Sequence, residues 1–120
     1  MIGELRDART GRLLVARLIA ADTAVARTVG LLGRTRIPDD EAMWFDRCSA
    51  VHTLGMRVAI DVVFVDEDGG VVDVACAVRP WNPWVGRRGA RGLLEMAAGN
   101  AARCGISAST KLEFRWLSRT

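Results

Sequence analysis

The sequence is poor in the residues that most often announce a function. Histidine occurs once, at His52, and lysine once, at Lys111. The three cysteines, Cys48, Cys76 and Cys104, are far apart and form no CxxC pair. One histidine and isolated thiols cannot build a Cys/His zinc centre of the usual spacing, so no metal and no cofactor are expected. An odd set of scattered cysteines also fits free thiols in a reducing, cytoplasmic setting. Leu13 to Gly33 is apolar overall, but Arg17, Asp22 and Arg27 interrupt it, so no membrane span is expected. The acids and arginines ahead of Leu13 make no convincing signal peptide. Repeats, linkers and low-complexity segments are missing too.

What remains is a chain of 120 residues, 50% hydrophobic and 26% charged. That is one domain, residues 1–120, with enough apolar matter to bury roughly two thirds of its unfolded surface. The formal charge is +3, and the basic residues are not gathered on one recognisable face. Nucleic acid is therefore not an expected partner, and the oligomeric state is left open.

The organising stretch is Cys48 to Asp66. It holds the one histidine and a β-branched run, Val58 to Val65, that ends on Asp66-Glu67-Asp68-Gly69-Gly70. This is the pattern of a strand buried on both faces and closed by a turn. Period two puts Ile60, Val62 and Phe64 on one face and Ala59, Asp61, Val63 and Val65 on the other. Asp61 thus shares a face with aliphatic neighbours, where a charged carboxylate is costly unless hydrogen-bonded or paired. The ordinary reading, preferred here, is a structural acid. The sharper one is an acid of raised pKa facing a pocket.

Elsewhere, residues 1–12 are polar and read as a ragged start. Leu13 to Ala20 reads as a strand, with Leu14, Ala16, Leu18 and Ala20 on one face, although its alanine and leucine make helix the competing reading. Asp22 or Thr23 can cap a helix with Val25, Val29 and Leu32 on one stripe and Gly33 at its end. Ile37 to Glu41 is a loop, Ala42 to Phe45 a short strand, and Val51 to Thr53 a strand fragment. Val71 to Val78 pairs back across the acidic turn, with Val72, Val74, Cys76 and Val78 on one face and Cys76 as a small core residue. Leu93 to Met96 is a strand, Asn100 to Cys104 a short helix between Gly99 and Gly105, and Leu112 to Trp116 an alternating strand. The sum is an α+β fold: a β-rich curled sheet or partial barrel with two short helices.

Several residues invite a chemical role. Cys48 and His52 could form a nucleophile and base, oriented by Asp61 or Glu95. On a strand, though, residues four apart lie roughly 13 Å from each other, so a turn must intervene. A polar edge histidine and a buried thiol are the ordinary reading. Gly86 to Gly92 carries Arg87, Arg88 and Arg91 and could cradle phosphate, but it precedes a strand instead of opening a helix. Trp81 and Trp84 could stack bases; with their neighbouring prolines they equally suit a lid over a small core. Glu95 sits between Leu94 and Met96, a second acid in apolar sequence. It could converge with Asp61 and with His52 or Arg91 on one pocket.

The chain resembles a prokaryotic family known as domain of unknown function 192. Four stretches carry the likeness: TVGLLGR (Thr28 to Arg34), CSAVHTLGMRVAIDVVFVDED (Cys48 to Asp68), Arg79-Pro80-Trp81, and GARGLLEMAAGNA (Gly89 to Ala101). They span most of a core from about residue 22 to 106. The resemblance implies Gly30, Leu31, Gly33, Arg34, His52, Thr53, Met56, Asp61, Gly69, Pro80, Glu95 and Gly99 as pattern positions. Val58-Ala59 departs from the family's aromatic-proline, Ala97-Ala98 from its proline-alanine, and Ser107 to Thr110 from its glycine-aspartate turn. The family implies a compact, β-rich α+β fold and no established activity.

The reading carried forward is a binding module for a small polar ligand or peptide, contacted by Cys48, His52, Thr53, Met56, Asp61, Trp81, Arg91 and Glu95. A hydrolase using Cys48/His52 or Asp61/Glu95 is the first alternative. A structural or assembly accessory acting through an arginine-bearing face is the second.

Overall fold

The computed structural model describes residues 1–22 and 31–118. Nine strands are present among these residues: β1 Ile2–Asp7, β2 Leu13–Ala20, β3 Glu41–Asp46, β4 Ala50–Val51, β5 Ile60–Val65, β6 Val71–Val78, β7 Val85–Gly86, β8 Gly92–Ala97 and β9 Leu112–Ser118. One short helix, α1 (Asn100–Cys104), stands between Gly99 and Gly105, both left-handed. Seven strands form one sheet in the order β6-β5-β8-β3-β2-β1-β9, and β4 pairs with β7 in a small second sheet. Only β2 and β3 run parallel among the pairings of the large sheet.

The large sheet curls. Its outer strands meet at one end, where Val71 N–H donates to the Thr110 carbonyl and Leu112 N–H to the Gly69 carbonyl, each at 2.8 Å. Gly69 permits this approach: its φ is +86°, and a Cβ there would lie 2.7 Å from the Leu112 oxygen. Beyond that contact β6 and β9 diverge, so the sheet stays an open curl and does not close into a barrel.

The sheet is buried on both faces. Inside the curl, Leu5, Val15, Leu18, Val63, Val65, Leu94, Met96 and Ala101 of α1 form one core. On the outer face, Phe45, Ile60, Val62, Phe64 and Leu93 form a second, covered by Leu31, Ile37, Met56 and Val85 from the connecting segments. All six residues of β5 are buried, and they divide between the cores as period two requires.

Four expectations need correction. The first residues are no ragged end: β1 is hydrogen-bonded on both sides, to β2 and β9. Only Leu5 among its large side chains is fully buried, so its apolar signal is faint. In β2, bulges opposite β1 break the alternation, and Leu14 and Val15 both reach the inner core. In β6, Ile60 pairs with Val78 but Val62 with Ala75, so one extra residue is accommodated. Val74 then packs on the inner core and Ala75 on the outer one, while Cys76, expected inside, is exposed. Of the two expected helices, α1 is present with the expected bounds. The other falls largely on residues 23–30, outside the described residues; the Leu31–Gly33 end is a turn, with Gly33 at φ +78°.

Candidate functional site

Five polar or charged residues are classed as buried among the described residues: Glu41, Thr53, Asp61, Glu95 and Asn100. Their partners separate scaffolding from site.

Asp61 lies on the inner face. The β6 bulge withdraws Ala77 N–H from the strand ladder, and it donates to Asp61 Oδ1 at 2.8 Å. The first turn of α1 leaves Ala101 N–H without a helical acceptor, and it donates to Asp61 Oδ2 at 3.0 Å. One carboxylate therefore ties a bulge to a helix start. Asn100 extends this joint through Nδ2, which donates to the Asp39 carbonyl at 2.5 Å.

Glu41 faces the outer side with Met43 and Phe45. It accepts from Arg34 Nη1 at 2.5 Å and lies 3.6 Å from Arg17 Nε. Sequence reading left it in a loop. The signal that exposes it is the same one that marks Asp61: alternation places it in line with Met43 and Phe45.

Glu95 also faces the outer side, in register with Leu93. Met43 stands opposite it on β3 and Val62 on β5. It is 6% exposed, and among the described residues it has no hydrogen-bond or ion-pair partner. No buried side-chain oxygen is left sealed and unpartnered among the described residues, so the Glu95 carboxyl keeps a small contact with solvent. Loss of water around the charged form pushes its pKa up to about 7. Glu41 is its diagonal neighbour on β3, a relation that in an antiparallel pair means roughly 7–8 Å.

The cover over this face is built around Thr53. Its hydroxyl donates to the Arg79 carbonyl at 2.7 Å and accepts from Asn82 N–H at 2.8 Å. Its own N–H donates to the Asn82 carbonyl, and its carbonyl accepts from Trp81 N–H and Met56 N–H. Thr53 thereby staples the His52–Met56 turn to the Arg79–Trp84 segment, and the β4–β7 pairing extends the join. Thr53→Val keeps the shape but strands the Arg79 carbonyl and Asn82 N–H. It is expected to cost about 2 kcal/mol in urea unfolding and to speed proteolytic cleavage near Arg79.

The remaining expected residues are distributed as follows. Met56 and Cys48 pack on the outer core, and Cys48 Sγ donates to the Ala50 carbonyl at 3.1 Å. His52 is exposed, with Nδ1 accepting from Leu54 N–H at 3.1 Å. Trp81 and Trp84 are 68% and 66% exposed, so their indoles do not lid the core. Arg91 lies at the other end of β8, 3.5 Å from Asp46 and beside the Asp66–Asp68 turn. Arg87 is held by Asp73 at 2.6 Å, which keeps that carboxyl below its ordinary range. Cys48, Thr53, Met56 and Glu95 thus share the outer side of the sheet. Asp61 is on the opposite face, so the two expected acids do not meet.

A family model for domain of unknown function 192, described as Uncharacterized ACR, matches residues 6–114. The chain belongs to this family. A UPF0127 protein of Pyrococcus furiosus is 33% identical over 66 residues, 55% of this chain and 56% of that protein. The chain thus matches just over half the length of that relative. A Novosphingobium aromaticivorans protein of unknown function has a crystal structure that superposes with a TM-score of 0.79 at 25% identity, covering 94% of this chain and 84% of that one. A Sinorhizobium meliloti protein, proposed to be a transcription regulator, gives 0.80 at 24% identity over 94% and 92% of the two chains; that likeness concerns fold alone. Among the described residues no helix is long and apolar enough to cross a membrane. Within this domain 192 fold, the pattern positions Arg34, Thr53, Met56 and Glu95 all belong to the outer side of the sheet.

Proposed function

We propose that this domain is a binding module that receives a small polar ligand, or a polar group of a peptide, against Glu95 on the outer face of the sheet. The observation that carries this reading is the contrast among the buried acids. Asp61 has two main-chain amides and Glu41 has two guanidinium groups, whereas Glu95 has neither and keeps a small contact with solvent. A buried carboxyl without a partner is costly, and a ligand that supplies the partner recovers that cost on binding. Thr53 fixes the cover under which the ligand would sit, and Met43, Val62 and Met56 give it apolar walls.

The test is a thermal-shift and calorimetric screen of small polar compounds on the wild-type chain and on Glu95→Gln. A ligand whose effect shrinks at least about tenfold in Glu95→Gln, a loss of about 1.4 kcal/mol, supports the site. A ligand that binds both proteins equally contradicts it. No observation favours the hydrolase reading over this one, since Cys48 Sγ and His52 Nδ1 are engaged with separate backbone groups.

A further inference from the structure

We infer that the group received by Glu95 is a small organic cation, an ammonium or guanidinium; this rests on the binding reading above and names its ligand class. The inference comes from how positive charge is distributed around the outer face. β3 brings Glu41 with Arg34 and Arg17 already attached. β5 brings only Ile60, Val62 and Phe64 to that face. β8 itself adds Leu93 and Ala97, and Arg91, just before its start, is drawn to Asp46. The overlying segment carries the half-buried Cys48 and the exposed His52 and Arg57. Arg34, Arg17 and Arg91 are paired with other acids, as is Arg87, which lies over the Phe64 ring and is held by Asp73; among the described residues no cation pairs with Glu95.

A neutral ligand would answer only part of this arrangement. A carboxyl offers two oxygens, and a carboxylate accepts through both. An N–H cation supplies donors and the missing charge together, and charge-assisted hydrogen bonds are roughly twice as strong as neutral ones. Met43 and Val62 flank Glu95 on the two neighbouring strands, so the head group of the ligand would pair with the carboxyl while a short alkyl stem meets apolar neighbours. Binding has a proton balance. The resting carboxyl holds its proton below neutrality; on pairing, the O–H bond breaks, the carboxylate keeps the electron pair, and the proton passes to buffer.

The probes are guanidinium and methylammonium at millimolar concentration, with urea as the neutral, planar counterpart of guanidinium. Titration calorimetry on the full chain, in two buffers of different ionisation enthalpy, reads the proton released. The expected result is binding of at least one cation and none of urea, with protons released near pH 6 and far fewer near pH 8. Glu95→Gln should abolish the signal and Glu95→Asp should weaken it, with circular dichroism confirming that each variant folds. Urea binding as well as guanidinium, or no heat from either cation, overturns the cation assignment. A neutral compound bound by the wild type and lost in Glu95→Gln overturns the ligand class while leaving the Glu95 site standing. Cation binding retained in Glu95→Gln removes both.

Discussion

Asp61→Ala is expected to lose about 3 kcal/mol of folding stability, because a buried amide donor and a part-buried one are left unpaired, the buried one alone costing about 1–3 kcal/mol. The donors are Ala77 N–H at the β6 bulge and Ala101 N–H at the start of α1. Asp61 is 0% exposed, so water does not replace the carboxylate without opening the structure. Ala77 adds to the effect: it holds φ at +48°, a conformation that alanine adopts only when its surroundings impose it. Against a typical stability of about 5–15 kcal/mol, the loss is a large fraction of the whole. Asp61→Asn should fall between, because one oxygen still accepts while the new amino group faces a donor. Urea unfolding midpoints and hydrogen exchange at Ala77 and Ala101 measure the effect. An unchanged midpoint in Asp61→Ala would mean that the bulge and helix start stand without this acid.

Glu95→Gln should have the opposite sign, and its size should depend on pH. The folded protein holds the Glu95 proton up to about 7, from an ordinary value of 4.5. Between those two values the folded state binds the proton and the unfolded state does not, so stability falls as pH rises through the interval. Below about 4.5 the full contribution is present; above about 7 roughly 3 kcal/mol has been lost. Glutamine does not titrate. The variant should match the wild type at about pH 4 and exceed it by about 3 kcal/mol above neutrality, compared by denaturant unfolding at matched pH. The difference between the two proteins isolates this residue from the other acids, which titrate in both. Gain of stability with loss of binding is the trade expected of a residue kept for function.

Much of the fold could be read in the residues. Leu13 to Ala20, Val71 to Val78 and Asn100 to Cys104 have the bounds their apolar runs and flanking glycines suggest. β5 obeys period two so well that its split between two cores is legible in the sequence alone. The bulges were not legible, since Ala77 takes a conformation that sequence usually assigns to glycine, and each bulge turned the residues beyond it. β1 escaped notice because neighbours on both sides hold it by backbone bonds, with little help from side chains.

The site was legible in kind but not in arrangement. The same physical oddity, an acid in apolar sequence, pointed to both Asp61 and Glu95. Whether they meet depends on strand register. Asp61 pairs with Met96 and so shares a face with it, which turns Glu95, one residue earlier, to the other side. Glu41 belongs with Glu95, yet its place after Pro38-Asp39-Asp40 disguised it as turn chemistry.

The most direct test is carbon-13 NMR titration of the Glu95 carboxyl in the free protein, assigned through Glu95→Gln. A midpoint near 7 is the expected result, lowered when a binding cation is added. A midpoint near 4.5, unmoved by any such cation, would mean that this carboxyl is already satisfied and that no site has been built around it.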